Sequence, residues 1–328
     1  DPEPHTDDPY DFDQLRFGPD QSMGKSRGLA PTIVCWAGKG GVGKTSASIT
    51  IAQVAARAGL KTTLIDTSVG QNGVGIVLRV SKRGVPSVYD AAVSGDMKQA
   101  FLTPDMLREI RSGATVEELE FALVSAPPSS LADTTIITGS VYSHIIQLAR
   151  ETSDLVVIDT QIREAALASQ ETIFTRAVLP ILRADGWGAG LTDNGSEGFK
   201  LLIDRLTELR RLGVGRERML TAINKFDPSQ VDPSEAKKAF SRHSEFLGVI
   251  DQDPYVQAAF NAGRTAADIP GFRLMVNAIL SRVTGDEERF PYIGNVEALM
   301  DKAHTGTHRG SASSTPKKKR LLGLFGRK

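Results

Sequence analysis

Cysteine is almost missing from this sequence: Cys35 is the single thiol in 328 residues. One thiol closes no internal disulfide, which suits a reducing cytosol, and it excludes a cysteine-ligated iron–sulfur centre. Histidine is scarce as well. The five present show no zinc spacing, and the closest pair, His304 and His308, sits in a glycine-containing polar stretch. No run of about 18 apolar residues occurs, so no stretch reads as a membrane-crossing helix, and no charged-then-apolar leader opens the chain. Net charge is absent too. The 39 Lys and Arg balance the 39 Asp and Glu, so no global field draws the protein to nucleic acid. The imbalance that does exist is local: "DPEPHTDDPYDFDQ" at the start is acidic, and "KKKRLLGLFGRK" at the end is basic.

What is present is an ordinary globular composition, 40% hydrophobic and 24% charged, enough to build a sizeable core. Residues 1–30 mix acids, proline and glycine without periodicity and read as a disordered acidic segment. From Thr32 short apolar runs alternate with amphipathic stretches. "TIVCWA", "KTTLID", "FALVSA", "DLVVID", "RAVLPILRA", "RMLTAIN" and "FLGVI" read as strands. "TSASITIAQVAARAG", ending at Gly59, "GSVYSHIIQLARET" and "EGFKLLIDRLTELRRLG" read as helices. This order predicts an α/β fold, a mostly parallel sheet with helices on both faces, spanning residues 31–285. Ligands of such sheets bind beyond the carboxyl ends of the strands, so the loops that follow strands matter most. Residues 85–115 read as short helices outside the alternation. Residues 286–316, with "HTGTHRGSASSTP", read as a flexible linker to the basic tail at 317–328.

The strongest chemical signal is "GKGGVGKT", Gly38 to Thr45, between the first strand and the first helix. It fits G-x-x-x-x-G-K-[ST]. Glycines let backbone N–H groups converge on phosphate oxygens, and the helix N-terminus adds a favourable dipole. Gly38, Gly40, Gly41, Val42, Gly43, Lys44, Thr45 and Ser46 form the expected cradle. Lys44 supplies a charge to the β/γ-phosphates, and Thr45 offers its hydroxyl to Mg²⁺. Lys39 is a second lysine, inside the glycine loop. It cannot easily turn back onto phosphates that Lys44 holds, and it is placed to reach a nucleotide bound by a facing copy.

"KGGVGKT" resembles the deviant Walker A motif of the MinD/ParA ATPases, and the likeness extends over most of residues 32–284. It implies a P-loop NTPase fold, ATP and Mg²⁺ as cofactors, and an ATP-driven homodimer in which Lys39 crosses to the partner's nucleotide. A charge delivered in this way contributes on the order of 10³–10⁵ in rate when it acts like an arginine finger. "LVVIDT", ending in Asp159 and Thr160, resembles the Walker B strand, whose aspartate holds magnesium through water. "LIDTSVGQNG" resembles the first switch region, with Asp66 as its first aspartate. The resemblance therefore assigns catalysis to Lys39, Lys44 and Asp66, and the metal to Thr45, Asp66 and Asp159.

Two positions depart from the family pattern. Ser68 stands where a second acid usually helps to activate water, and loss of a positioned base typically costs about 10²–10⁴-fold. Gln161 replaces the proline that often follows the Walker B aspartate. "TAINKFDP" resembles the strand end where the family's asparagine, here Asn224, meets adenine. The same letters fit the N-K-x-D pattern of GTPases, so the resemblance favours ATP and leaves GTP open. "GVIDQDPYVQAAFNAGR" resembles the block that closes over the base with Asp253, although Asp251 replaces its usual proline. The stretch from Phe121 to Thr160 looks like MinD and the pilus-associated CpaE/TadZ proteins.

The tail places Lys317, Lys318, Lys319 and Arg320 before Leu321, Leu322, Leu324 and Phe325. Wound as a helix it is basic on one side and apolar on the other, similar in position and composition to MinD's membrane-targeting segment. Each basic residue near an anionic leaflet contributes about 1 kcal/mol. The expectation is a slow ATPase, cytoplasmic and peripheral on the inner face of the cell membrane. It would use an unidentified protein activator or cargo to position a cell-envelope machine, either a pilus or secretion apparatus or the division site. The alternatives are a ParA-type DNA-binding partition ATPase and a non-hydrolysing ATP-bound scaffold.

Overall fold

The computed structural model describes residues 28–80, 82, 84–111, 116–127, 134–161 and 172–292. The acidic segment through residue 27, the linker from residue 293 and the tail at 317–328 lie outside the described residues.

Eight strands form one sheet in the order β3-β4-β2-β5-β1-β6-β7-β8. β1 (Thr32–Ala37), β2 (Thr62–Asp66), β4 (Ala122–Val124), β5 (Leu155–Asp159), β6 (Trp187–Thr192), β7 (Met219–Phe226) and β8 (Glu245–Asp251) run parallel. Two residues, β3 (Phe101–Leu102), add an antiparallel edge on β4. The strands read as continuous apolar runs because both faces are covered. β1 shows the division of labour. Val34 and Trp36 join the core beneath α5 (Gly139–Thr152) and α7 (Ser196–Arg211), while Ile33, Cys35 and Ala37 join the core beneath α1 (Lys44–Arg57) and α10 (Pro270–Thr284). Burial pushes the Cys35 thiol up to about 12, so it packs as a small apolar residue.

Short sequence signals start the peripheral helices. In α3 (Val88–Ser94) the Ser87 hydroxyl accepts the Tyr89 N–H, and Asp90 reaches back to the Ser87 N–H at 2.7 Å. α4 (Pro104–Ile110), α8 (Pro233–Phe240) and α9 (Pro254–Asn261) each open with proline behind a capping Thr103, Asp232 or Asp253. The short helices expected in 85–115 are thus α3, a 3-10 turn at Met97–Ala100 and α4, with β3 between them.

One strand expectation is corrected. "RAVLPILRA" is helical: a π-type turn at Phe174–Val178 runs into α6 (Leu179–Ala184). The strand beside β1 is the next segment, "WGAGLT", now β6. Glycines hid it. A Cβ on Gly190 would lie 2.8 Å from the Trp36 ring, and one on Gly188 would lie 2.6 Å from Met219 Sδ. Large neighbours on β1 and β7 fill the space that β6 leaves, so its apolar pattern is carried by other strands.

Candidate functional site

β1 lies near the middle of the sheet. The chain leaves it toward β2 on one side and later returns to build β6, β7 and β8 on the other. The glycine loop therefore emerges where the strand order reverses, the place where open α/β sheets bind ligands.

Two close approaches fix the loop. A Cβ on Gly38 would lie 2.6 Å from Leu201 Cβ and 2.8 Å from Leu202 N, so only glycine lets the loop rest on α7. Gly43 caps α1 at φ +92°, and a Cβ there would lie 2.3 Å from Asn224 Nδ2. From the far side β7 holds two successive carbonyls. Asn224 Nδ2 donates to Val42 O at 2.9 Å, and Lys225 Nζ donates to Gly41 O at 2.7 Å. In a planar trans peptide the N–H points opposite its carbonyl, so these two bonds turn the Val42 and Gly43 N–H groups away from β7. Asn224 is thus seen supporting the loop. Its neighbour Lys225, which the sequence reading passed over, does the same from a left-handed backbone at φ 56°.

Beneath the loop the polar side chains converge on one carboxylate. Lys44 Nζ lies 2.6 Å from Asp159 Oδ1, with both side chains buried. The Ser48 hydroxyl donates to the same oxygen at 2.7 Å, and the Thr45 hydroxyl donates to Asp159 Oδ2 at 2.9 Å. Ser48 was not anticipated. It stands one helical turn beyond Lys44 on the same face of α1, and that i+4 spacing was the available signal. A hydroxyl and a carboxylate oxygen side by side at a helix N-terminus suit a small octahedral cation that completes its shell with water and phosphate. No group of three or more His, Cys, Asp or Glu able to hold a metal occurs among the described residues.

Asp66 ends β2 beside Asp159. It is fully buried, its Oδ1 accepts the Ser68 N–H at 2.8 Å, and its Oδ2 accepts the Val74 N–H at 3.2 Å. Burial first, and then the neighbouring Asp159 carboxylate, push Asp66 up to about 6. Both oxygens meet the β2–α2 turn (α2, Gly73–Val77), so the carboxylate orders the segment that carries Ser68. The Gln161 side chain joins the neighbouring loops by donating to Val69 O at 2.8 Å. Thr67 ties the ends of β2 and β5 through its N–H and hydroxyl, both 3.0 Å from Asp159 O.

These pieces border one cleft of about 490 Å³. Lys39, Gly41, Val42, Gly43, Lys44, Thr45 and Ser46 form its floor. Ser68 and Gln161 line one wall; Asn224, Asp251 and Asp253 line the other. Asp253 Oδ1 also accepts the Tyr255 N–H at 2.8 Å and so caps α9. Gly38 and Gly40 lie outside the lining: the first is pressed on α7, and the second is exposed. Lys39 stands at the cleft and pairs with Asp193 of its own chain at 2.8 Å. Sequence spacing gave no hint of that partner.

Comparison with known proteins bears on the fold and the family. The septum site-determining protein MinD of Thermotoga maritima is 25% identical over 248 residues, 72% of this chain and 80% of that one. The cell division ATPase MinD of Pyrococcus furiosus superposes with a TM-score of 0.58 at 16% identity, covering 80% of this chain and 99% of that one. The septum site-determining protein MinD of Pyrococcus horikoshii, complexed with Mg-ADP, gives 0.57 at 16% identity, covering 76% and 96%. At such identities the structural likeness establishes the P-loop NTPase fold. The profile of the CobQ/CobB/MinD/ParA nucleotide binding domain matches residues 33–266, and a match over that much of the sequence means that the chain belongs to this family.

Proposed function

We propose that this protein is a Mg-dependent ATPase whose ATP-bound form is a face-to-face homodimer. The dimer associates with the inner face of the cell membrane and positions a cell-envelope machine, with hydrolysis releasing it. One observation carries this reading: Lys44, Thr45 and Ser48 converge on Asp159 beneath a glycine loop that carries a further lysine at the cleft. The MinD relatives support ATP as the nucleotide and support the positioning role.

In this reading the loop N–H groups hold the phosphates, and Lys44 exchanges Asp159 for the β/γ-phosphate oxygens. Thr45 and Asp159, with Asp66 beside them, would hold Mg²⁺, which would supply charge neutralisation at the phosphates. Asn224 and Asp253 border the end of the cleft left for the base.

Slow turnover is built into the wall opposite the loop. Ser68 lines the cleft with a hydroxyl where a carboxylate would serve as base, and so offers none to an attacking water. Ser68→Asp is expected to raise ATP turnover on the order of 10²-fold, the usual worth of a positioned base. Steady-state phosphate release at saturating Mg-ATP measures it, and an unchanged rate rejects this account of Ser68.

The direct test of the whole reading is sedimentation of the chain with and without AMP-PNP and Mg²⁺, followed by flotation with vesicles containing anionic lipid. A dimer lets two weak tails bind together, and effective concentration strengthens attachment by roughly 10²–10⁴. Deletion of 317–328 is expected to abolish nucleotide-dependent flotation while leaving the dimer intact. Flotation that survives the deletion removes the tail from the proposal. Retention on DNA in place of vesicles moves the protein to the partition reading.

A further inference from the structure

The end of the sheet away from the cleft carries positive charge that the described residues leave largely unneutralised. β1, β6, β7 and β8 are parallel, so their starts share that end with the helix ends that lead into them. Arg183 lies in the last turn of α6, and Arg210 and Arg211 close α7. Arg216 and Arg218 bound a 3-10 turn, Arg216–Arg218, before β7, and Arg242 follows α8. Three contacts knit these residues into one face. Arg183 Nε donates to Leu212 O, Arg218 Nη1 donates to Ala184 O at 2.8 Å, and Arg210 Nη1 donates to Arg242 O at 3.4 Å. Cations suit the carboxyl ends of helices. A guanidinium nevertheless has five N–H donors, each of these bonds uses one, and a carbonyl cancels no full charge. Among the described residues Glu217 is the one carboxylate paired with the group, 4.0 Å from Arg218. The nearby Asp185 and Glu245 are taken by Arg150 and Arg282. Arg183, Arg210, Arg211, Arg216 and Arg242 are exposed. His243 feels the field: burial first, and then Arg210, Arg242 and Arg216, hold its imidazole below the usual range.

The chain enters the fold at this same end. The Ala30 N–H donates to Arg150 O at 2.9 Å, and the Ala30 carbonyl accepts Arg150 Nε at 3.1 Å, which fixes the entry beside the end of α5. Arg150 pairs in turn with Asp185, between α6 and β6. Upstream, outside the described residues, lies the acidic segment, with six carboxylates from Asp1 to Asp13 and no Lys or Arg among them. We propose that residues 1–13 dock across this arginine face of their own chain and cover it. Reach is sufficient. Neighbouring strands lie about 5 Å apart, so β6 and β7 start about 5 and 10 Å from the start of β1. The roughly 15 residues from Asp13 to Gly28 span about 20 Å as a flexible coil. A tether of that length keeps the acids near the face at an effective concentration of about millimolar. The basic tail is a weaker partner for them, because it hangs from the opposite end of the chain on a long linker, whereas the arginines are held in place by the fold. A solvated ion pair shifts an equilibrium by at most about fivefold, so docking takes several pairs at once, and salt loosens it. The covered face is withheld from other polyanions, while the cleft at the far end of the sheet stays open.

Two measurements on the full chain at low salt test the docking. A carbodiimide joins a carboxylate to a lysine amine in contact with it, and mass spectrometry identifies the joined peptides. Lys237 and Lys238 are exposed on α8, and Lys238 stands one helical turn before Arg242. Links from the carboxylates of residues 1–13 to these two lysines are expected. They are expected to fall several-fold when Arg210→Ser, Arg216→Ser and Arg242→Ser are combined, a variant that keeps both lysines. The second measurement is labelling of the face arginines by phenylglyoxal, read against the exposed Arg264 beyond α9. Changing the six acids of the segment to Asn or Gln leaves the described fold untouched and is expected to raise that labelling about threefold or more. The same change is expected to strengthen retention on heparin, a polyanion probe. Links confined to Lys317, Lys318 and Lys319 assign the acids to the tail and overturn the proposal. Links found only between chains in a mixture of ¹⁵N-labelled and unlabelled protein assign the face to a second copy and overturn docking within one chain. Arginine labelling or heparin retention that ignores the loss of the six carboxylates overturns the covering.

Discussion

Lys44→Ala is expected to lose nucleotide affinity by about 10²-fold, the worth of a charge-assisted contact to phosphate. It is also expected to destabilise the fold, because Lys44 has a structural partner besides the phosphate proposed for it. In the structure its ammonium lies 2.6 Å from Asp159 Oδ1, and both side chains are buried. Removing one member of such a pair typically costs about 3–5 kcal/mol, because the remaining charge stays out of water. The lower end applies here, since the Thr45 and Ser48 hydroxyls still donate to Asp159. Close to 3 kcal/mol corresponds to a fall of about 6–12 °C in melting temperature for a domain of this size. The two effects separate in a double variant. Asp159→Asn added to Lys44→Ala removes the unpaired charge, so the melting temperature recovers in part while the affinity does not. Calorimetry and titration with a fluorescent ATP analogue report the two quantities. A single variant that melts with the parent denies the Lys44–Asp159 pair its structural role, and one that binds nucleotide normally denies the loop its proposed ligand.

The sequence revealed these residues unevenly, for identifiable reasons. β1, the glycine loop and α1 were legible together because they are local: one apolar run, one glycine pattern and one helix start lie within about 25 consecutive residues. Asp159 was legible as a carboxylate ending an apolar strand. β6 was not, because its glycines serve Trp36 and Met219 on other strands, and "VLPIL" nearby imitates a strand better than "WGAGLT" does. The Ser68 and Val74 N–H groups that meet Asp66 were not legible, since they come from a turn whose closure no spacing announces. Lys225 and Asp193 were missed for the same reason. Each meets the loop from a strand end on the far half of the sheet, and parallel topology brings together carboxyl ends that are distant in sequence.

Lys39→Ala carries the largest expected effect on turnover. In the structure the Lys39 ammonium pairs with Asp193, whereas Lys44 and Thr45 meet Asp159, so nucleotide binding by a single chain is expected to rest on the latter pair. Two copies that close over two triphosphates bring together a large excess of negative charge in a space with little water. Without a compensating cation from the other side, that charge opposes closure. Truncating Lys39 is therefore expected to leave AMP-PNP binding by one chain close to normal and to abolish the AMP-PNP-dependent dimer. ATP turnover is expected to fall on the order of 10³-fold or more, as when an arginine finger is withdrawn from a phosphoryl transfer. Lys39→Arg keeps the charge but is bulkier where Gly195 and Gly198 leave room for the lysine side chain, so it is expected to restore part of the dimer and only part of the rate. Mixing decides where the lysine acts. When Lys39→Ala is combined with an excess of Asn224→Ala, a chain weakened in loop support but still carrying Lys39, mixed dimers supply a lysine to the intact nucleotide site of the Lys39→Ala chain. Turnover above the sum of the two variants is the signature of action across the interface, and a simple sum places Lys39 in its own site and ends the sandwich.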